Sequence, residues 1–236
     1  MNIALPRCCS PLQLHWPLPT ALPGAVLASL HFDPTQMAPD DFISAGIAPP
    51  PSVQRSVPKR QAEFLSGRVC ARHALRQLDG LGYTPQIGED RAPVWSAQHC
   101  GSITHGQGWA AAVVAKQIDY RGLGLDAEPL LPVERAERLM GEILTPSELQ
   151  RLAPSQLAMS VTLTFSLKES LFKALYPIVQ KRFYFEHAEL LEWDEQGHAR
   201  LRLLTDLSAE WRSGVELDGQ FCLHEGHLLS LVSVAA

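Results

Sequence analysis

The sequence predicts an α+β protein built as two similar lobes. Each half carries short strands, each half carries one dominant helix, and a polar join near Lys116–Arg121 separates them. The division expected is an N-terminal lobe over 1–118, opening on a proline-rich segment at 1–55, and a C-terminal lobe over 119–236. No sequence repeat relates the halves, so the similarity expected is one of architecture.

The elements follow in order. Eleven of the 18 prolines fall within residues 1–58, so this stretch reads as extended and loop-rich with one strand at Ala25–Phe32. Residues 57–79 read as a helix, with Phe64, Ala71, Leu75 and Leu78 at helical spacing and Gly80 as the stop. Strands follow at Gly101–Thr104 and Trp109–Val114, and after the join a third at Gly122–Glu128, closed by Pro129. Helical segments occupy 133–176. One of them starts at Thr145-Pro146-Ser147-Glu148, a capping box read as purely structural. Another, from Phe165, is expected to end at Pro177. Four short strands near 187–193, 198–204, 220–224 and 228–234 complete the chain, with Gln196-Gly197 and Glu225-Gly226 as turns.

Composition narrows the function classes. With 46% apolar and 19% charged residues, the 236-residue chain has ordinary globular balance and length enough to bury a core. A net charge of −5 argues against a general nucleic-acid binder. No apolar run approaches the ~20 residues of a membrane span, and prolines interrupt the N-terminus where a signal peptide would need an apolar stretch. Five cysteines without a CxxC pair favour neither a disulfide framework nor a zinc site, so a reducing cytoplasm is the expectation.

Four groups of residues could carry chemistry. On the strand Gly122–Glu128, Asp126 and Glu128 project to one side while Leu123, Leu125 and Ala127 anchor the other. Such carboxylates are either solvated at a strand end or bridged by a hard cation such as Mg²⁺. On the helix Phe165–Tyr176, Glu169 and Lys173 lie four apart, the spacing of a surface ion pair. Yet Glu169 shares its face with Phe165, Phe172 and Tyr176, a face expected to be buried, where a metal shared with Asp126 and Glu128 would satisfy it. The helix bearing Lys59, Arg60, Arg68, Arg72 and Arg76 presents the last three as one stripe, either solvated or facing phosphates or an acidic partner. Thr104 and His105 sit beside glycines at a strand end, after Arg91-Ala-Pro-Val-Trp95, where they could donate to an anion or lie in an exposed turn. Three patterns fail: Gly122-x-Gly124 lacks the third glycine of a dinucleotide fingerprint, His224-Glu-Gly-His227 is one residue short of HExxH, and no Walker A loop occurs.

Gly124–Glu128 (G-L-D-x-E), followed about forty residues on by Phe165–Lys173 (F-S-x-K-E-S-x-x-K), resembles the 4′-phosphopantetheinyl transferase superfamily in its double-length bacterial form. Arg91–Trp95, Gly101–His105 and Glu63–Arg68 extend the resemblance, which spans roughly residues 55–180. Thr104 stands where the family commonly has Ser, and Ser96 where relatives often have Pro. The resemblance implies a pseudo-dimer of two α+β lobes in one chain with the active site in the cleft between them. It implies transfer of phosphopantetheine from coenzyme A to a serine of acyl or peptidyl carrier proteins, releasing adenosine 3′,5′-bisphosphate. It implies Mg²⁺, with Mn²⁺ as an alternative, on Asp126, Glu128 and Glu169. Asp126, Glu169 and Lys173 would be catalytic, with Glu169 or a metal-bound water as the base. Arg91, Thr104 and His105 would bind the ribose 3′-phosphate end, Lys168 and Lys173 would sit near the phosphates, and Lys59, Arg60 and Arg68 would help hold coenzyme A. A monomer is expected. Two other readings of the same residues are a Mg²⁺-dependent phosphohydrolase and a non-catalytic module binding coenzyme A or a carrier protein.

Overall fold

The computed structural model describes residues 5–80, 82–89 and 91–236. It divides into two compact units, the first comprising residues 1–16 and 22–119 and the second residues 17–21 and 120–236. The two-lobed α+β architecture expected from the sequence is the one observed.

The first unit holds an antiparallel sheet of β1 (Gln13–Leu14), β2 (Val26–His31), β5 (His99–His105) and β6 (Trp109–Lys116), in the order β1-β2-β6-β5. Two short helices, α1 (Asp41–Ser44) and α2 (Pro51–Gln54), precede the long α3 (Pro58–Asp79), and a small ribbon of β3 (Gln86–Ile87) and β4 (Pro93–Val94) follows it. Residues Trp109–Ala115 of β6 are all buried, as an unbroken apolar run on a central strand requires. The helix α3 packs on β2, β5 and β6. Gly67 permits the close fit, because a Cβ there would lie 2.7 Å from Ile103 Cγ2. Gly80, at φ 81, supplies the left-handed cap that ends the helix.

The second unit holds five antiparallel strands, β7 (Tyr120–Pro129), β8 (Ala188–Trp193), β9 (His198–Leu203), β10 (Glu216–His224) and β11 (His227–Ala235), in the order β7-β11-β10-β9-β8. Its helices are α4 (Val133–Ile143), α5 (Pro146–Arg151) and α6 (Leu157–Val179). The core is made by Leu163, Leu167, Leu171 and Leu175 of α6 against Leu201, Leu228 and Val232 of the sheet. Gly122 and Gly124 of β7 sit directly under α6: a Cβ at Gly124 would fall 1.8 Å from Ser170 O, and one at Gly122 would fall 2.1 Å from Ala174 O. These glycines allow a backbone-to-backbone approach of helix and strand.

Two expectations change. The last long helix continues through Pro177 to Val179 and ends at left-handed Gln180, φ 52. Pro177 lies within the final turn and is exposed, so its missing N–H breaks the ladder only where the helix is about to stop. The strand expected at 220–224 begins at Glu216, because Glu216, Leu217, Asp218 and Gly219 already pair with β9, and Gly219 makes room for the helix: its Cβ would meet Leu167 Cδ2 at 2.9 Å. Among the described residues no helix is long and apolar enough to cross a membrane.

The capping box at Thr145 is present, and it does more than start a helix. Buried Glu148 Oε2 accepts from Thr145 N–H at 2.6 Å and from Lys168 Nζ at 2.8 Å, while Oε1 accepts from Leu190 N–H at 2.6 Å. Lys168 also donates to Ile143 O and Phe185 O. One carboxylate thus ties α5 and α6 to the edge strand β8. Nearby, Arg151 reaches Glu189 at 2.9 Å and Leu190 O at 2.8 Å.

Two tests follow from this packing. Gly124→Ala should destabilise the fold by at least about 1–3 kcal/mol, the usual penalty of overpacking. Gly141→Ala on α4, where an added Cβ meets nothing within 4 Å, should be neutral or stabilising; thermal denaturation of both variants compares them. Lys168→Met should cost about 3–5 kcal/mol by stranding the buried Glu148 charge. Pairing it with Glu148→Gln should recover part of that loss in urea titrations.

Candidate functional site

The second unit brings the predicted acidic residues into one electrostatic neighbourhood. Asp126 is buried on β7, its Oδ2 accepting from Ser166 at 2.9 Å and its Oδ1 accepting from Lys173 Nζ at 2.6 Å. Lys173 also donates to Leu125 O at 3.1 Å. Glu128, two residues on, is pushed up to about 7, first by burial and then by the Asp126 charge, with Glu169 adding to the effect and Lys173 opposing it. Glu169 is raised as well, mainly by burial, with Lys173 working against Asp126. Lys173 lies in contact with Asp126, while burial first and the neighbouring carboxylates second raise both glutamates.

This arrangement depends on the glycines of β7. Gly122, Gly124, Asp126 and Glu128 occupy one face of the strand, and the absent side chains at the first two positions seat α6 against that face. Leu123, Leu125 and Ala127 are buried on the other. Gly122-x-Gly124 lacks the third glycine of a nucleotide fingerprint. Its packing role becomes visible only once the helix is docked.

The face of α6 carrying Phe165, Glu169, Phe172 and Tyr176 is half-buried, whereas the leucines make the core. That face is the margin of the helix, and this leaves Glu169 reachable. Beside it lies a cavity of about 180 Å³ whose lining is mainly aromatic, Phe172, Phe183, Tyr184 and Phe185, together with Glu169, Lys168 and Arg182. Phe172 stacks on Tyr176 and meets Phe183, so the aromatic wall is fixed by its own contacts. Lys168, expected near phosphates, is instead buried with its protons donated to Glu148, Ile143 O and Phe185 O. Adjacent helix positions point in different directions, which sends Lys168 inward while Glu169 faces the margin.

Could these residues hold a divalent cation? Among the described residues, no three His, Cys, Asp or Glu side chains stand together as a ready-made cage. The donor chemistry nevertheless fits a hard ion. All three groups are oxygen ligands, two are raised above the ordinary glutamate range by burial and by neighbouring carboxylate charge, and each Asp126 oxygen keeps a lone pair beyond its present hydrogen bond.

In the first unit, Arg60 Nη1 lies 2.9 Å from His105 Nε2 and 3.3 Å from Glu63 Oε2, and His105 Nδ1 is 3.9 Å from the same carboxylate. Arg68 is nearly buried over the Phe64 ring at 4.8 Å, and its Nε has no hydrogen-bond partner. Burial, reinforced by the Arg60 charge, brings its guanidinium down to about 10. The structure thus gathers Arg60 and His105 near the start of α3, with Arg68 farther along the helix within range of the Arg60 charge and Thr104 buried on β5. The arginine stripe is not a uniform solvated face. Arg72 is buried and donates to Ala45 O at 2.6 Å, while Arg76 is exposed. Lys59 is exposed at the start of α3. Arg91 lies apart in the turn before β4, in the left-handed region at φ 74.

Residues 48–115 match the 4′-phosphopantetheinyl transferase N-terminal domain, and residues 122–232 match the 4′-phosphopantetheinyl transferase superfamily. Enterobactin synthase component D of Escherichia coli (strain K12) is 35% identical over 213 residues, 89% of this chain and 98% of that protein. The 4′-phosphopantetheinyl transferase Svp of Streptomyces mobaraensis is 38% identical over 208 residues, covering 84% of this chain and 82% of its own. Holo-ACP-synthase from Plasmodium yoelii overlays 50% of this chain and 95% of its own at 19% identity, with a TM-score of 0.37. The chain belongs to the 4′-phosphopantetheinyl transferase family. Its activity is transfer of the 4′-phosphopantetheine group from coenzyme A to carrier proteins.

The protonation of Glu128 gives this site a pH signature. Its folded pKa lies above the unfolded carboxylate value, so the stability it contributes is complete below about 4.5 and is lost as pH rises through about 7. Glu128→Gln should flatten the fall of melting temperature across that window in metal-free buffer; an unchanged slope would assign the proton elsewhere.

Proposed function

We propose that Asp126, Glu128 and Glu169 hold Mg²⁺ for the transfer, that Glu169 also removes the proton from the carrier serine, and that Lys173 serves the leaving phosphate. The observation carrying this reading is the electrostatic coupling of Asp126, Glu128 and Glu169, with Lys173 Nζ 2.6 Å from Asp126. A bound divalent ion supplies neutralisation of the coenzyme A pyrophosphate.

The residues do the rest. The serine oxygen attacks the β-phosphorus, which bears the pantetheine arm, and the bond from that phosphorus to the bridging oxygen breaks as adenosine 3′,5′-bisphosphate leaves. Glu169 is suited to take the serine proton because burial and Asp126 raise its basicity above that of an ordinary glutamate. Lys173 lies on α6 one turn beyond Glu169, and its ammonium can shift from Asp126 to the leaving oxygen as charge accumulates there. The aromatic cavity beside Glu169 supports accommodation of the uncharged pantetheine arm. In the first unit, Arg60, Arg68 and His105 are suited to coenzyme A phosphates, with Arg68 offering an unpartnered donor. Thr104, Arg91 and Lys59 extend this set, while Lys168 is left to its structural task. Likeness to enterobactin synthase component D supports a carrier protein of siderophore synthesis as acceptor.

Mass spectrometry of an apo peptidyl carrier incubated with the protein, coenzyme A and Mg²⁺ tests this. The carrier should gain one phosphopantetheinyl group, and EDTA should prevent the gain. Asp126→Ala should abolish it, and Glu169→Gln should slow it by about 100-fold or more without loss of fold. Full transfer by Asp126→Ala would sink the metal assignment, while modification of an acyl carrier alone would overturn the acceptor assignment.

A further inference from the structure

A sulfur cluster in the first unit lies outside the residues assigned to the transfer. Cys8 Sγ lies 3.8 Å from Cys9 Sγ and 3.6 Å from Met37 Sδ. Cys9 Sγ in turn lies 3.4 Å from Ser66 Oγ on α3. We propose that Cys8, Cys9 and Met37 form a binding site for a soft monovalent cation, Cu(I), with two thiolates and one thioether as ligands.

Ligand chemistry comes first. Thiolate and thioether sulfurs together select Cu(I) over harder ions. Geometry agrees: Cys8 Sγ lies 3.8 Å from Cys9 Sγ and 3.6 Å from Met37 Sδ, both within the ~4.6 Å that two metal–sulfur bonds of ~2.3 Å can span.

The scaffold holds the sulfurs before any metal arrives. Buried Asp41 accepts from Arg7 N–H at 2.8 Å through one oxygen and from Ala38 N–H at 2.9 Å through the other. One carboxylate therefore fixes residues 7 and 38 side by side, and their chain neighbours Cys8 and Met37 are set against each other. Asp33 N–H donates to Cys8 O at 2.9 Å, Cys9 N–H donates to Pro6 O at 3.0 Å, and Cys9 bridges to Phe32. A dithiol pinned at this many points loses little freedom on binding a metal.

Access also favours the assignment. Cys8 is buried at 3% exposure, but Cys9 and Met37 are only half-buried, which leaves the cluster open on one side. Binding releases one proton from each cysteine to solvent, and the cation offsets one of the two thiolate charges, leaving the site with a net charge of −1.

The test is anaerobic competition against the coloured Cu(I)–bicinchoninate complex, using the full chain. Wild type should withdraw one equivalent and should melt at a higher temperature with Cu(I) than without. Cys9→Ser should abolish the withdrawal, and Met37→Ile should weaken it by roughly 10-fold. Cys222→Ala, at a half-buried thiol outside the cluster, should bind like wild type. Unaltered transferase activity of the metal-free Cys9→Ser and Met37→Ile proteins would show that both fold. No withdrawal by wild type, undiminished withdrawal by Cys9→Ser, or unchanged affinity in Met37→Ile would each overturn the three-sulfur site.

Discussion

The approach of α6 to β7 is the constraint on which the second unit depends. Ser170 O and Ala174 O occupy space that side chains at residues 124 and 122 would otherwise fill. Because the helix lies that close, Ser166 and Lys173 both reach Asp126, from positions two turns apart on α6. A helix resting on ordinary side chains would stand several ångströms farther off, beyond hydrogen-bond reach of that carboxylate. Packing and chemistry are here one fact: the absence of two Cβ atoms sets the distance between an acid-bearing strand and a lysine-bearing helix.

A second economy appears around Glu148. Its carboxylate begins a short helix, accepts an ammonium from the long one and receives a strand amide. Burial of such an ion pair is costly in isolation, and here the cost is offset because Lys168 also finds two backbone carbonyls. Neighbouring Lys168 and Glu169 thus have opposite fates. One is locked into the interior, and the other faces a margin where a substrate can meet it.

Much of this was legible in the sequence. The dominant helices, the β6 run and the strand bearing Asp126 and Glu128 follow from period and burial, which are local properties. The pairing of the acids with Glu169 was legible because strand alternation and helical spacing each fix a face. What escaped were through-space partners. Nothing local says that Lys168 meets Glu148, that Arg72 caps Ala45 O, or that Gly219 makes room for Leu167. The burial of Arg68 escaped for the same reason: a stripe of arginines looks alike whether water or a folded segment lies over it.

The contacts at Leu190 have a consequence for solubility. The strand β8 is the outer member of its sheet, where unpaired backbone groups could template the addition of a foreign strand. At Leu190 the amide is taken by Glu148 and the carbonyl by Arg151. Side chains from α5 occupy the positions an incoming chain would need, so the ion-pair hub also guards an open edge against aggregation.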